Sequence, residues 1–295
     1  MVHPAAVQRR NEAEEGAMGT HHHLGRIRAA VVIATLAAAL AIGSPVAAAT
    51  PPTVYVSLGD SLAWGDGASV PAETGYTALL ADYFAGIPHG GAKAWTNLGV
   101  RGETTESFLT GQVGAAFASI GDPTTDTRVV TLSLGGNDVG ALLNDPSDPC
   151  VQNPADLACQ AQVVAALQGA AQRYPVVLGS IAAAVGGDRD GAEVYVMTVY
   201  NPFGGLGAPY EGAVDGVLLG NDQRIDCSAV DPMAFGLNDI IACTAMAFGM
   251  TVVDAHPVIG DDALTLTHIG EGTFDSHPTD EGYALLAKAH RAVAP

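Results

Sequence analysis

Four short polar blocks in this chain carry side chains suited to nucleophilic and acid–base chemistry. Gly59-Asp60-Ser61-Leu62 puts a serine directly after an apolar run. A hydroxyl on such a turn is exposed enough to attack a substrate, although serine in that position also serves as a plain helix cap. Asp275-Ser276-His277-Pro278 puts an imidazole beside a carboxylate just before a helical segment, the pairing a general base needs; a surface turn with a helix-starting proline is the alternative. Gly135-Gly136-Asn137-Asp138 offers a side-chain amide that can donate to a developing oxyanion, or an Asx turn. Asn97-Leu98-Gly99-Val100-Arg101-Gly102 offers, at Gly102, a bare backbone N–H that can approach a ligand closely, or a simple turn glycine.

The elements between these blocks place them at one edge of a sheet. Pro52–Leu58 (PTVYVSL) is β-branched and aromatic and stops at Gly59, as a buried first strand does. Ala94–Leu98, Arg128–Leu134, Ala192–Val199 and Met250–Asp254 read as four further strands. Helical apolar spacing covers Thr77–Phe84. An amphipathic helix is expected over Thr104–Ile120, one or two helices interrupted at Pro175 over Asp156–Val185, and a last helix over Thr279–Ala294. The segment from 201 to 249 reads as irregular, an insertion near the site. Strands alternating with helices imply a parallel sheet of about five strands covered on both faces. Ligands of such open sheets bind beyond the carboxyl ends of the strands. The polar blocks that end the first three strands are therefore expected to meet in one crevice.

In that order the four blocks resemble the SGNH hydrolases, also called the GDSL esterase/lipase family. They span Gly59 to Pro278, nearly all of the chain after its leader. The resemblance implies a three-layer α/β/α sandwich of flavodoxin-like type and hydrolysis of carboxylic esters without a cofactor or metal. Carried over block by block, Ser61 is the nucleophile and His277 the base. The backbone N–H groups of Ser61 and Gly102, with the Asn137 amide, form the oxyanion hole. No Gly-x-Ser-x-Gly elbow occurs, which disfavours the common α/β-hydrolase arrangement.

One position departs from the family pattern. The acid usually stands three residues before the histidine, where this chain has Phe274, while Asp275 stands two before. Side chains two apart share a side in an extended segment, so Asp275 is the expected orienter. A backbone carbonyl, Asp254, Glu271 or a plain Ser–His dyad are the alternatives. Asp254-Ala255-His256-Pro257 mimics the last block, but the helix that follows His277 at once favours His277. Asp188-Arg189-Asp190-Gly191 lacks the bidentate Glu of a calcium loop and reads as a turn. Trp64 is placed either in the acyl pocket or in the core.

The chain has 295 residues, with 31 acidic against 12 basic side chains, a net charge of −19. That balance argues against nucleic acid as a partner. Apolar residues make up 48% and charged ones 15%, which excludes a disordered polyelectrolyte. Ala29–Ile42 is an apolar stretch behind Arg26 and Arg28 and ahead of Ala47-Ala48-Ala49. This is the pattern of a secretory signal peptide, shorter than a membrane span. Residues 1–49 are expected to be removed, Met18 being a second candidate start, and 50–295 to form the hydrolase domain. The remainder would hold 8 basic and 28 acidic residues, a charge of −20 over 246 residues. His21–His23 fall in the leader and are given no metal role. Cys150, Cys159, Cys227 and Cys243 suggest two disulfides in an exported protein, and the local pairs 150–159 and 227–243 are favoured. The function expected is a secreted, monomeric serine ester hydrolase with no stable membrane span. Its substrate would be a small-molecule, lipid or carbohydrate ester. A carbohydrate acetylesterase or (lyso)phospholipase of the same fold is the alternative, and an inactive binding protein the third reading.

Overall fold

A computed structural model describes residues 50–140, 142, 150, 153, 155–186, 191–207, 210–228, 235–273 and 275–294. Residues 1–49, expected to be a leader, Asp188–Asp190 and Phe274 lie outside the described residues.

Five parallel strands form the central sheet: β1 (Thr53–Gly59), β2 (Ala94–Asn97), β3 (Asp126–Ser133), β4 (Glu193–Met197) and β5 (Thr251–Val253), in the order β2-β1-β3-β4-β5. The period-two alternation of a strand divides their side chains between two cores. Val54, Val56, Leu58, Val130, Leu132 and Val196 face one layer of helices. Tyr55, Val129, Tyr195, Met197 and Val253 face the other. This is the expected three-layer α/β/α sandwich.

The first layer holds α3 (Thr105–Thr110), α4 (Gln112–Ile120), α5 (Leu157–Val185), α6 (Tyr210–Leu219) and α7 (Leu237–Ala247); the second holds α2 (Tyr76–Gly86) and α8 (Asp280–Val293). A four-residue helix, α1 (Ser61–Trp64), follows β1.

Three expectations are corrected. The helix foreseen over Thr104–Ile120 is broken at Gly111, and the break turns the Gln112 side chain into the interior. Helix α5 runs unbroken through Pro175. Proline removes one N–H from the ladder, but Tyr174, Val177, Leu178 and Ile181 are buried on both sides of it and hold the helix to the sheet. The stretch 201–249 is not irregular throughout, since it contains α6 and α7. Leu237, Ile241 and Ala245 recur at helical spacing and are buried. Both local disulfides, Cys150–Cys159 and Cys227–Cys243, are formed.

Candidate active site

The turn that carries Ser61 depends on Gly59. Its φ is +121°, and a Cβ there would lie 1.9 Å from the Ser133 carbonyl oxygen. Only glycine lets the ends of β1 and β3 approach this closely. The Asp60 N–H donates to that same carbonyl (2.9 Å). The Asp60 carboxylate caps α1 by accepting from Leu62 N–H (3.0 Å) and takes the Ser133 hydroxyl at 3.1 Å. Burial pushes its pKa up to about 7, against the pull of those donors. Ser61 thus opens α1 with its side chain in the cleft.

His277 reaches the cleft from the loop before α8. Tyr200 donates its hydroxyl to the Ser276 carbonyl (2.6 Å), and His268 N–H donates to the His277 carbonyl (3.0 Å). Thr279 caps the helix that follows. At Gly67 a Cβ would stand 2.8 Å from the His277 Cβ, so that glycine lets the loop after α1 close against the histidine.

The two ends meet. His277 Nε2 lies 2.8 Å from Ser61 Oγ, and His277 Nδ1 lies 2.5 Å from Asp275 Oδ1. An ionised carboxylate only accepts, so Nδ1 carries the proton and Nε2 is left to accept from the serine hydroxyl. Asp275 Oδ1 also accepts the His277 backbone N–H (3.0 Å). Partial burial disfavours the Asp275 anion, but the backbone N–H and ring of His277 outweigh it and hold the carboxyl below its usual range. The backbone N–H of His277 closing on the Asp275 carboxylate is an Asx turn, and that turn, not an extended run, brings the two side chains together across a two-residue spacing. The alternative orienters are engaged elsewhere: Asp254 accepts from Thr198 (2.8 Å), and Glu271 pairs with His268 (3.0 Å). His256 pairs with Asp215 at 2.9 Å and does not line this cleft.

Gly102 and Asn137 line the same cleft, which has a volume of about 380 Å³, within the range of small-molecule sites. Gly102 has a φ of +72° and open space where a Cβ would be. One Asn137 amide hydrogen is given to the Glu103 carbonyl (3.0 Å), which fixes the side chain.

Several supporting residues were not foreseen. Asp138 accepts from Thr105 N–H (2.9 Å), from the Thr105 hydroxyl (2.5 Å) and from Arg173 Nη2 (3.0 Å), while Arg173 Nε donates to Thr105 Oγ1 (2.7 Å). This cluster ties the Gly102 loop to the Asn137 turn. Gln112, buried, accepts Gly59 N–H (2.7 Å) and donates to Gly59 O (2.8 Å), bracing the strand end that precedes Ser61. Trp64 is neither in the cleft nor in the core: it is 45% exposed, with the Arg101 guanidinium 5.4 Å from its ring centroid. Among the described residues no group of three His, Cys, Asp or Glu could hold a metal ion, and no helix is long and apolar enough to cross a membrane.

A model of the GDSL-like lipase/acylhydrolase family matches residues 57–285. No curated protein sequence matches the chain. Among solved structures, the chain resembles an extracellular lipase from Streptomyces rimosus at 22% identity, covering 82% of this chain and 100% of that one, with a TM-score of 0.54. It resembles phospholipase A1 from Streptomyces albidoflavus at 22% identity, with 83% and 100% covered and a TM-score of 0.56. A catalytic mutant of an acetylxylan esterase from Geobacillus stearothermophilus is similar at 16% identity, with 81% and 92% covered and a TM-score of 0.50.

Proposed function

The chain belongs to the GDSL-like lipase/acylhydrolase family and is a carboxylic ester hydrolase, and we propose that it works through an acyl-enzyme on Ser61. Ser61 Oγ attacks the ester carbonyl while its proton passes to His277 Nε2. The tetrahedral oxyanion is held by the N–H groups of Ser61 and Gly102 and by the Asn137 amide. Collapse expels the alcohol, which takes the proton back from His277. Water, deprotonated by the same nitrogen, then releases the acid and restores the serine. Asp275 holds the ring in the required tautomer and faces the imidazolium as it forms.

The observation that carries this reading is the unbroken relay Asp275–His277–Ser61, at 2.5 and 2.8 Å, on one wall of a cleft shared with Gly102 and Asn137. Merely binding a ligand needs no such relay, which disfavours an inactive scaffold. The two disulfides support export through the 1–49 leader, because they persist in oxidising compartments.

The test is hydrolysis of para-nitrophenyl acetate by the purified protein and by Ser61→Ala. Turnover is expected in the first and a loss of at least about 10⁴-fold in the second, as when the nucleophile of a serine hydrolase is removed. A folded Ser61→Ala variant with wild-type turnover would refute the assignment.

A further inference from the structure

We propose that a second, larger groove adjoining the cleft receives the acyl chain of the ester, so that this enzyme prefers medium- and long-chain acyl esters to acetyl esters. This rests on the serine reading above. The groove encloses about 1180 Å³ between α5, α6 and α7. Phe203, Val214 and Val217 line both it and the cleft of Ser61 and His277. The two spaces therefore share an apolar wall, over which a chain attached at the Ser61 acyl carbon would have to cross. The opposite wall includes Ile269 and Thr273, on the segment that leads into Asp275.

The lining suits a hydrocarbon. Asp239 is the only charged side chain among the described lining residues, in a chain of net charge −19. Its carboxylate is already taken by Gly236 N–H and Asp226 N–H, each at 2.7 Å. Val163, Leu167 and Ile240 are among the apolar side chains of the remaining wall. Gln160, Gln168, Asn221 and Thr244 add polar groups to the lining, but the apolar side chains form the longer contact for a hydrocarbon. A methylene gains about fourfold in binding when it leaves water. Burying only three methylenes of a decanoyl chain is then worth on the order of 60-fold over acetyl. The wall is covalently braced, since Cys150, Cys159 and Cys243 of the two disulfides line it.

The experiment is kcat/KM for para-nitrophenyl esters from acetyl to palmitoyl, with the full chain and with Gly216→Trp. Gly216 lies on α6 in the groove lining, and a Cβ added there meets nothing within 4 Å. The decanoyl ester is expected to exceed the acetyl ester at least about tenfold, and Gly216→Trp to lower that ratio at least about tenfold. A wild-type maximum at acetyl would overturn the proposal whether or not the variant folds. So would a folded Gly216→Trp with an unchanged ratio, or a dimer by sedimentation with no chain-length preference. Hydrolysis that survives Ser61→Ala would instead overturn the serine reading, so the two failures are distinguishable.

Discussion

Replacing Asp275 by asparagine keeps a side chain of the same shape beside His277 and removes one negative charge. On the proposed mechanism His277 has taken the serine proton in the transition state, and the carboxylate then faces an imidazolium. Their nearest atoms are 2.5 Å apart, which puts the charge centres about 4 Å apart. At that separation the attraction is about 1 kcal/mol in water and about 4 kcal/mol at the effective dielectric of a protein surface. The Asp275 side chain is 44% exposed and that of His277 29%, so the pair falls between these limits, at about 2–3 kcal/mol. That corresponds to a fall in kcat of roughly 30- to 150-fold. His277→Ala removes the base itself and is expected to cost at least about 10⁴-fold. The assay is initial-rate hydrolysis of para-nitrophenyl butyrate at pH 8, with circular dichroism to confirm folding. A loss in Asp275→Asn as large as in His277→Ala would refute the screened-charge magnitude worked out here and trace the effect to loss of the Nδ1–H tautomer instead. A loss below about threefold would show that the carboxylate does not act on His277 at all.

Asn137→Ala removes one oxyanion donor and is expected to lower kcat by about 10²–10³ with a much smaller change in KM; a change confined to KM would contradict that role. Gln112→Ala orphans the buried Gly59 N–H, while the Gly59 carbonyl keeps Val100 N–H at 2.9 Å. Urea unfolding is therefore expected to show a loss of about 1–3 kcal/mol, and an unmoved midpoint would contradict it. Asp60 is protonated in both folded and unfolded chains below pH 4. Between about 4 and 7 only the unfolded chain ionises, so folding weakens as pH rises, and the loss levels off above about 7. Asp60→Asn, which cannot ionise, is expected to gain about 4 kcal/mol relative to wild type between pH 4 and pH 8; a pH-independent difference would refute this.

Where strands alternate clearly and end in glycine, the fold was legible: Val54, Val56 and Leu58 against Tyr55 already divide the two cores. The side chains that meet in the cleft were legible for a related reason. Each sits in a short block at a strand end or helix start, and the turn at 275–277 brings the carboxylate and imidazole together within three residues. What escaped was contact across long separations. Gln112 meets Gly59 over 53 positions and Arg173 meets Asp138 over 35, and neither leaves a local pattern. Helix α6 was hidden because Gly212 and Gly216 dilute its apolar spacing. Helix α5 was expected to break at Pro175 because the local rule for proline ignores the buried side chains that hold it. Trp64 was misplaced because its partner, Arg101, lies on a different loop.

The most direct measurement is mass spectrometry of the protein after a fluorophosphonate, which phosphonylates an activated serine. The account predicts one adduct per chain, mapped to the peptide containing Ser61 and lost in both Ser61→Ala and His277→Ala. Full esterase activity with Ser61 unmodified, or an adduct mapped to a different serine, would contradict it.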